Sequence, residues 1–472
     1  MTQQAAKGLT SGQCREWIAE NVFRLREADY AKKYPIWPGM VGLEVEMIPT
    51  IGHDALPRLL PLQGSGGLWD ILRSMAQRYA WTGNEDQAGH LLSVSLDQKD
   101  QFTFEPGGQL EYSSKPYPCL SDALVRVEKI QALLDRTFAA HQIHSFQLGM
   151  NPWHGVEEIG LQMDKPRYKA MDQWFHRISE YGQRMMRQTC TIQVNLDFGV
   201  SGEGMARRYL AGNLLAPVAT AVFANSPVTA GRLNGYRSFR SRIWQGLDKG
   251  RTGFPDLRPI ADRADQQTCV DVYFDYVADA GVIFIADGDD VRLMDGSLTF
   301  RQWLEDGHNG RFPTRQDFET HLSLHFPEVR PKGFLELRSV DSQARIWQSV
   351  PAAFYTALLY DDKNLDACLD LLMPWLEELP TWLEKSSHGY QDPDLARMAG
   401  RIMGLVREGF SRLPPCFQGE GTHKALEAFC DHFVFRNRCP ADDMLDRLQT
   451  LGKSSPEPDM IRSLEHSWQE LL

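Results

Sequence analysis

Along four stretches of the chain, apolar and polar residues alternate with period two, the spacing of a strand buried on one face. In residues 40–48, Leu43, Val45 and Met47 point one way, and Gly42, Glu44 and Glu46 the other. Between 102 and 113, Phe102, Phe104, Leu110 and Tyr112 alternate with Thr103, Glu105, Gln109 and Glu111. Pro106-Gly107-Gly108 interrupts that run, which predicts two strands joined by a tight reversal. The longest clean alternation is 189–198, with Cys190, Ile192, Val194, Leu196 and Phe198 against Thr189, Thr191, Gln193, Asn195 and Asp197. Residues 333–339 set Leu335 and Leu337 opposite Glu336 and Arg338. Shorter strands are predicted at 91–96 and 144–150.

Helical spacing governs other stretches. Cys14, Trp17, Ile18, Val22, Phe23 and Leu25 predict an amphipathic helix over 11–31, and a second is read at 68–79. A third spans 121–140, with Ser121 as cap and a stripe of Val125, Ile130, Leu133, Leu134 and Phe138. Another helical region opens at 167–171, and the Ala/Leu-rich run 205–224 predicts a buried helix stopped by Asn225-Ser226-Pro227. Residues 228–253, with Arg232, Arg237, Arg240, Arg242, Lys249 and Arg251, read as a basic irregular segment, and 270–286 as mixed strand and turn. From Pro351 the chain is nearly all helical, broken by 454–458 before the last helix. Without repeats or an obvious linker, 1–472 reads as one α+β catalytic domain. A sheet-bearing core at about 36–345 is followed by a helical part at about 350–472.

Composition narrows the function. Of 472 residues, 42% are apolar, enough for a substantial core, and the net charge is −12 without a lysine or arginine tract. That balance argues against nucleic acid or an anionic membrane as partner. No apolar run reaches the roughly 18–20 residues of a membrane span, and residues 1–30 lack the apolar core of a signal peptide, so a cytoplasmic protein is expected. The eight cysteines are scattered with no Cys-x-x-Cys, which reads as reduced thiols and not as a disulfide framework or zinc site.

The chemistry lies in the polar faces: Glu44 and Glu46, Glu105 and Glu111, Gln193 with Asn195 and Asp197, and Glu336 with Arg338. Any one strand's polar face is most simply solvated, but in one antiparallel sheet all four can line a single surface. Carboxylates and amides without His or Cys clusters suit a hard cation, Mg²⁺ or Mn²⁺. Guanidinium groups from 232–251 add partners for phosphate or carboxylate, though the same run also reads as a solvated loop. Together they point to phosphoryl transfer from a nucleotide on a sheet-lined site, since no P-loop or kinase signature is present. His53, His141, His144 and Cys190 read as structural, and Trp303, Trp347 and Trp375 as core.

Seven motifs in order resemble the plant-type glutamate–cysteine ligase family: Gly-Leu-Glu-Val-Glu-Met (42–47), Glu-Pro-Gly-Gly-Gln-Leu-Glu (105–111), Thr-Cys-Thr-Ile-Gln-Val-Asn-Leu-Asp-Phe (189–198), Ala-Asn-Ser-Pro (224–227), Asn-Gly-Tyr-Arg-Ser-Phe-Arg-Ser-Arg-Ile-Trp (234–244), Asp-Lys-Gly-Arg-Thr-Gly (248–253) and Leu-Glu-Leu-Arg (335–338). The resemblance implies a glutamine-synthetase-like curved antiparallel sheet funnel wrapped by helices. It also implies ATP- and Mg²⁺-dependent joining of glutamate to cysteine through γ-glutamyl phosphate, in thiol biosynthesis of the glutathione or ergothioneine type. It gives Glu44, Glu46, Glu105, Glu111 and Glu336 as metal ligands, and Arg240, Arg251 and Arg338 as holders of phosphate or carboxylate. Thr191, Gln193, Asn195, Arg237 and Lys249 would bind substrate or ATP, in a monomer or homodimer. Departures from the plant pattern fall at Gln188 (usually Arg), Arg242 (usually His) and Ser342-Gln343 (usually Gly-Gly), and bear on acceptor recognition and redox control. A sibling ligase with another amine, a two-metal phosphohydrolase and a non-catalytic divalent-cation binder are the rival readings.

Overall fold

The computed structural model describes residues 8–26, 38–52, 56–97, 99–288 and 290–472; His53 lies outside them, as do residues 27–31 of the helix predicted over 11–31, whose helical turns end earlier, at Val22. Ten strands form the main antiparallel sheet: β1 (Val41–Ile51), β2 (Arg58–Leu59), β3 (Thr82–Glu85), β4 (Leu91–Ser95), β5 (Gln101–Phe104), β6 (Leu110–Ser113), β7 (Ile143–Phe146), β8 (Ile192–Leu196), β9 (Val329–Pro331) and β10 (Leu335–Leu337). The order is β9-β10-β8-β1-β6-β5-β4-β3, and the far end of β1 pairs instead with β2 and β7. A large antiparallel sheet with many helices makes the fold mixed α+β, as the alternation predicts.

Register decides which side chains meet. Directly opposite residues of an antiparallel pair share a face. Glu44 stands opposite Gln193 and Ser113, Glu46 opposite Glu111, Glu111 opposite Thr103, and Glu336 opposite Asn195. All the polar faces therefore coincide. On the other face Leu43, Val45, Met47, Val194 and Leu337 are at most 1% exposed. Burying each contributes about 1.5–3 kcal/mol. A slip of one residue would exchange the two faces, so this burial holds the acids in place.

Eight helices position the rest: α1 (Ser11–Trp17), α2 (Leu68–Tyr79), α3 (Leu120–Ala139), α4 (Pro166–Ile178), α5 (Gly182–Gln188), α6 (Gly202–Val222), α7 (Phe239–Gln245) and α8 (Gln266–Ala278). The Thr10 side chain accepts from the Gln13 N–H to cap α1, and a π turn at Ile18–Val22 carries the chain on to Phe23. Helix α6 is buried around nearly its whole girth and lies on the apolar face of the sheet. Gly212 permits that approach, because a Cβ there would come within 3.1 Å of Leu337. The C-terminal part is helical as predicted, and its residues, down to Trp468, join the same hydrophobic core as β1. Trp303, Trp347 and Trp375 are buried in that core.

Three expectations need correction. Helix α3 is capped at Cys119 and not Ser121, and Val125 faces outward at 64% exposure. The buried stripe runs through Ala123, Val127, Ile130, Leu134 and Phe138 instead; at about 100° per residue Val125 points some 200° away from Val127. The segment read as strand and turn begins with α8, because Cys269, Val270, Tyr273, Phe274 and Val277 bury one helical face. Its Val, Tyr and Phe content favours strand by propensity, and tertiary burial overrides that preference. The supposed irregular segment contains α7, whose N-cap Ser238 accepts from the Ser241 N–H, and a further turn, Lys249–Thr252, capped by Asp248.

Candidate active site

The polar face of the sheet, closed over by α4, α5 and α7, bounds a cavity of about 310 Å³. Its floor is acidic. One carboxylate oxygen from each of Glu46, Glu105 and Glu111 lies within 4.8 Å of the others. Glu46 comes from β1 and Glu111 from β6, while Glu105 sits where the chain leaves β5 for the turn. Glu46 accepts from the Thr191 N–H at 2.8 Å, and Glu111 from Thr103 Oγ1 at 2.6 Å and Ser113 Oγ at 2.8 Å. Glu44 accepts from Asn195 Nδ2 at 2.8 Å.

Packed together away from water, these acids resist ionisation. Burial, and then repulsion from Glu111 and Glu336, pushes Glu44 up to about 7. Burial followed by the charges of Glu105 and Glu111 drives Glu46 well above the carboxylate range, and Glu105 and Glu111 are raised chiefly by burial. A bound cation would relieve this repulsion.

Glu336 behaves in the opposite way. Burial would raise its pKa, but Arg330, then Lys332 and Arg338, hold it well below the usual range. Arg330 donates through Nε and Nη2, Lys332 through Nζ at 2.8 Å and Arg338 through Nη1 at 3.0 Å. Arg338 Nη1 also reaches Gln193 Oε1 at 2.9 Å, and Arg240 Nη2 donates to the Arg338 carbonyl at 2.8 Å. Cations and acids thus share one cavity wall.

Behind Arg240 stands Asp341, whose side chain is fully buried. It accepts from the Asn225 N–H at 2.8 Å, Ser226 Oγ at 2.7 Å and Ser238 Oγ at 2.9 Å, and faces Arg240 Nη1 at 3.9 Å. Asn225-Ser226-Pro227 therefore does more than stop a helix. It ties the start of α7 to the end of the sheet.

Residues 40–463 match the profile of glutamate-cysteine ligase family 2. The chain belongs to that family. A chloroplastic glutamate–cysteine ligase of Arabidopsis thaliana is 33% identical over 382 residues, 79% of this chain and 69% of its own length. The chloroplastic glutamate–cysteine ligase B of Oryza sativa subsp. japonica is 29% identical over 429 residues, 88% of this chain and 80% of its own length. Among solved structures, the glutamate–cysteine ligase of Francisella tularensis in complex with AMP aligns over 92% of this chain and 93% of its own, at 12% identity and a TM-score of 0.48.

In this member of the glutamate–cysteine ligase family, Glu44, Glu46, Glu105, Glu111, Thr191, Gln193, Arg240 and Arg338 line the cavity. Glu336 lies just beneath its surface under Arg330 and Lys332, and Asn195 backs Glu44. Three others are not brought to the cavity. Arg251 is fully buried, donating to the Leu324 and Gly281 carbonyls and pairing with Asp248. Arg237 pairs with Asp442, and Lys249 is exposed on its short helical turn. The resemblance implies a phosphate- or carboxylate-holding role for Arg251, but the turn capped by Asp248 sends its side chain into the core. Gln188 donates to the His154 carbonyl, Arg242 lies over the Tyr181 ring, and Ser342 Oγ donates to the Glu46 carbonyl. These departures from the plant pattern support the walls and do not line the cavity.

Sequence reasoning missed Arg167, Tyr168, Trp244, Arg330 and Lys332, which also line it. Arg330 and Lys332 carried a readable signal: two basic residues two apart share a strand face, and Arg330 stands directly opposite Glu336. Arg167 and Tyr168 carried none.

Proposed function

We propose that the protein is an ATP-dependent ligase that joins the γ-carboxylate of glutamate to the amine of cysteine through γ-glutamyl phosphate. The observation that carries this reading is one cavity lined both by the triad Glu46–Glu105–Glu111 and by Arg240, Arg330, Lys332 and Arg338. The curated relatives named as glutamate–cysteine ligases support the substrates.

The triad fits Mg²⁺, or Mn²⁺ in its place, because it offers three hard oxygen donors around one point and its carboxylates, when ionised, repel one another unless a cation offsets them. When bound, the ion would neutralise phosphate charge. Arg330, Lys332 and Arg338, gathered on Glu336, hold the phosphates. Arg240, fixed through Asp341, holds the glutamate carboxylate or the oxyanion that forms when the amine attacks. A carboxylate is a poor acylating agent, so activation as the acyl phosphate must precede that attack. The residues act by placing reactants and charges, and no protein nucleophile is needed. The chain is read as one catalytic unit, since C-terminal helices share the core with the sheet.

The test is to supply ATP, Mg²⁺ and glutamate, vary the amine and follow ADP and phosphate. Release that requires both glutamate and cysteine supports the reading. Preference for another amine moves it to a sibling ligase, and release independent of amino acids to a phosphohydrolase.

A further inference from the structure

We propose that Gln162 is a positioning residue for the metal ligand Glu105, acting through the turn between β5 and β6; this rests on reading the triad as the Mg²⁺ site. The three acids of the triad are not held alike. Glu46 accepts from the Thr191 N–H, and Glu111 from the Thr103 and Ser113 hydroxyls. The Glu105 carboxylate accepts no hydrogen bond among the described residues, so its place is set by its backbone. That backbone opens the turn. The Glu105 N–H donates to the Gln109 carbonyl at 3.0 Å, and its carbonyl accepts from the Gly108 N–H at 2.9 Å. What fixes the turn against the rest of the protein therefore fixes Glu105.

Gln162 does this with main chain and side chain together. Its N–H donates to the Pro106 carbonyl at 2.8 Å, and its Nε2 to the Gly107 carbonyl at 3.0 Å. Its Oε1 accepts from the N–H of the buried Leu62 at 2.8 Å. A carbonyl can only accept and an N–H only donate, so these two partners fix which way the amide points. The packing is close: a Cβ on Gly108 would lie 2.7 Å from Gln162 Nε2. The neighbours of Gln162 give it a firm base. Met163 is buried in the core that holds β1, and Leu161 packs against the separate cluster of Met171 and Phe175. Gln162 is itself half-buried and does not line the cavity, whereas Pro106, which it holds, does. A group of this kind, one step behind a metal ligand, typically sets metal affinity by about 10–100-fold.

The test reads the ion directly. Mn²⁺ is titrated into the full chain without ATP or amino acids, and the free ion is followed by electron paramagnetic resonance. In Gln162→Met, of similar length but without polar atoms, the Kd for Mn²⁺ is expected to rise about 10-fold or more. That variant also strands the Leu62 N–H, which costs stability, so a second one separates the effects. Gln162→Glu keeps an oxygen for Leu62 and sets its other oxygen against the Gly107 carbonyl, which breaks the side-chain bond to the turn. Its added negative charge would by itself draw a cation in, so weaker Mn²⁺ binding in this variant comes from the turn. In turnover, the Mg²⁺ concentration for half-maximal rate rises in both variants, and the KM for glutamate at saturating Mg²⁺ changes far less. A variant that melts as a folded protein and binds Mn²⁺ with wild-type affinity overturns the inference. So does a loss that falls on the glutamate KM with the Mg²⁺ dependence unchanged. If the wild type binds no Mn²⁺, the reading of the triad as a metal site fails first, and this inference with it.

Discussion

At the scale of single residues, the cavity sets groups that should repel beside groups that should attract, and burial makes both effects strong. Glu105 belongs to a triad that is hard to ionise without a cation. Replacing it with Gln removes one ligand oxygen's charge and one source of repulsion together. Glu105→Gln should therefore lose turnover by about a thousandfold, about 4 kcal/mol of transition-state stabilisation, while its thermal midpoint stays level or rises. Kinetics and a melting curve on the same preparation check this, and an active variant would sink the metal assignment. Asp341 is the reverse case, a buried carboxylate with three donors and Arg240 for company. Asp341→Ala strands those donors and leaves Arg240 without its counter-charge. A loss of about 3–5 kcal/mol in urea denaturation is expected.

At the scale of elements, the hairpin between β5 and β6 shows how a turn serves chemistry. Gly108 holds φ at +88°, a backbone conformation that glycine adopts without strain. Gly107 is needed for a different reason: a Cβ there would lie 2.3 Å from the Arg187 carbonyl oxygen and 2.5 Å from its Cα. The turn carrying Glu105 is thus pressed against the end of α5. Gly107→Ala should push the two apart, costing about 1–3 kcal/mol of stability. A displacement of about 1 Å at Glu105 would lower turnover by about a hundredfold. Loss of stability without loss of activity would show that this contact does not place Glu105. The hairpin was legible from alternation around Pro-Gly-Gly, and β1, β8 and β10 were equally so. Helix α7 was not, because its short run of Arg and Ser gains helical order only from the Ser238 cap and burial of Phe239, Ile243 and Trp244.

At the scale of the whole molecule, His321 and His325 lie buried beside Arg251, Arg330 and Tyr276, brought together from separate stretches of the chain. Burial, then Arg251, pushes His321 down to about 3, and burial, then His321 and Arg251, takes His325 well below its ordinary value. Both rings stay neutral when folded but gain protons when unfolded below pH 6.5. Their contribution to stability is complete above that pH and is lost as pH falls. The raised carboxylates Glu44 and Glu46 act the other way, so a difference measurement is needed. The stability advantage of wild type over His321→Gln should shrink by about 1.4 kcal/mol for each pH unit below 6.5. Denaturation at pH 7, 6 and 5 checks it, and a constant difference would count against the neutral ring.

The sequence by itself determined the faces of the central strands, the acids they carry and the family, because period-two alternation and contiguous motifs are local properties of the chain. It could not determine which basic residues meet those acids. Arg167 reaches the cavity by packing between segments distant in sequence, Asp341 reaches Arg240 in the same way, and Arg330 and Lys332 meet the triad because β10 pairs with β8 and β8 with β1. Arg251, adjacent in sequence to the expected set, is turned into the core by the same packing. Charge on a residue is written in the sequence; the partner that fixes its role is supplied by register and burial, which only the folded chain creates.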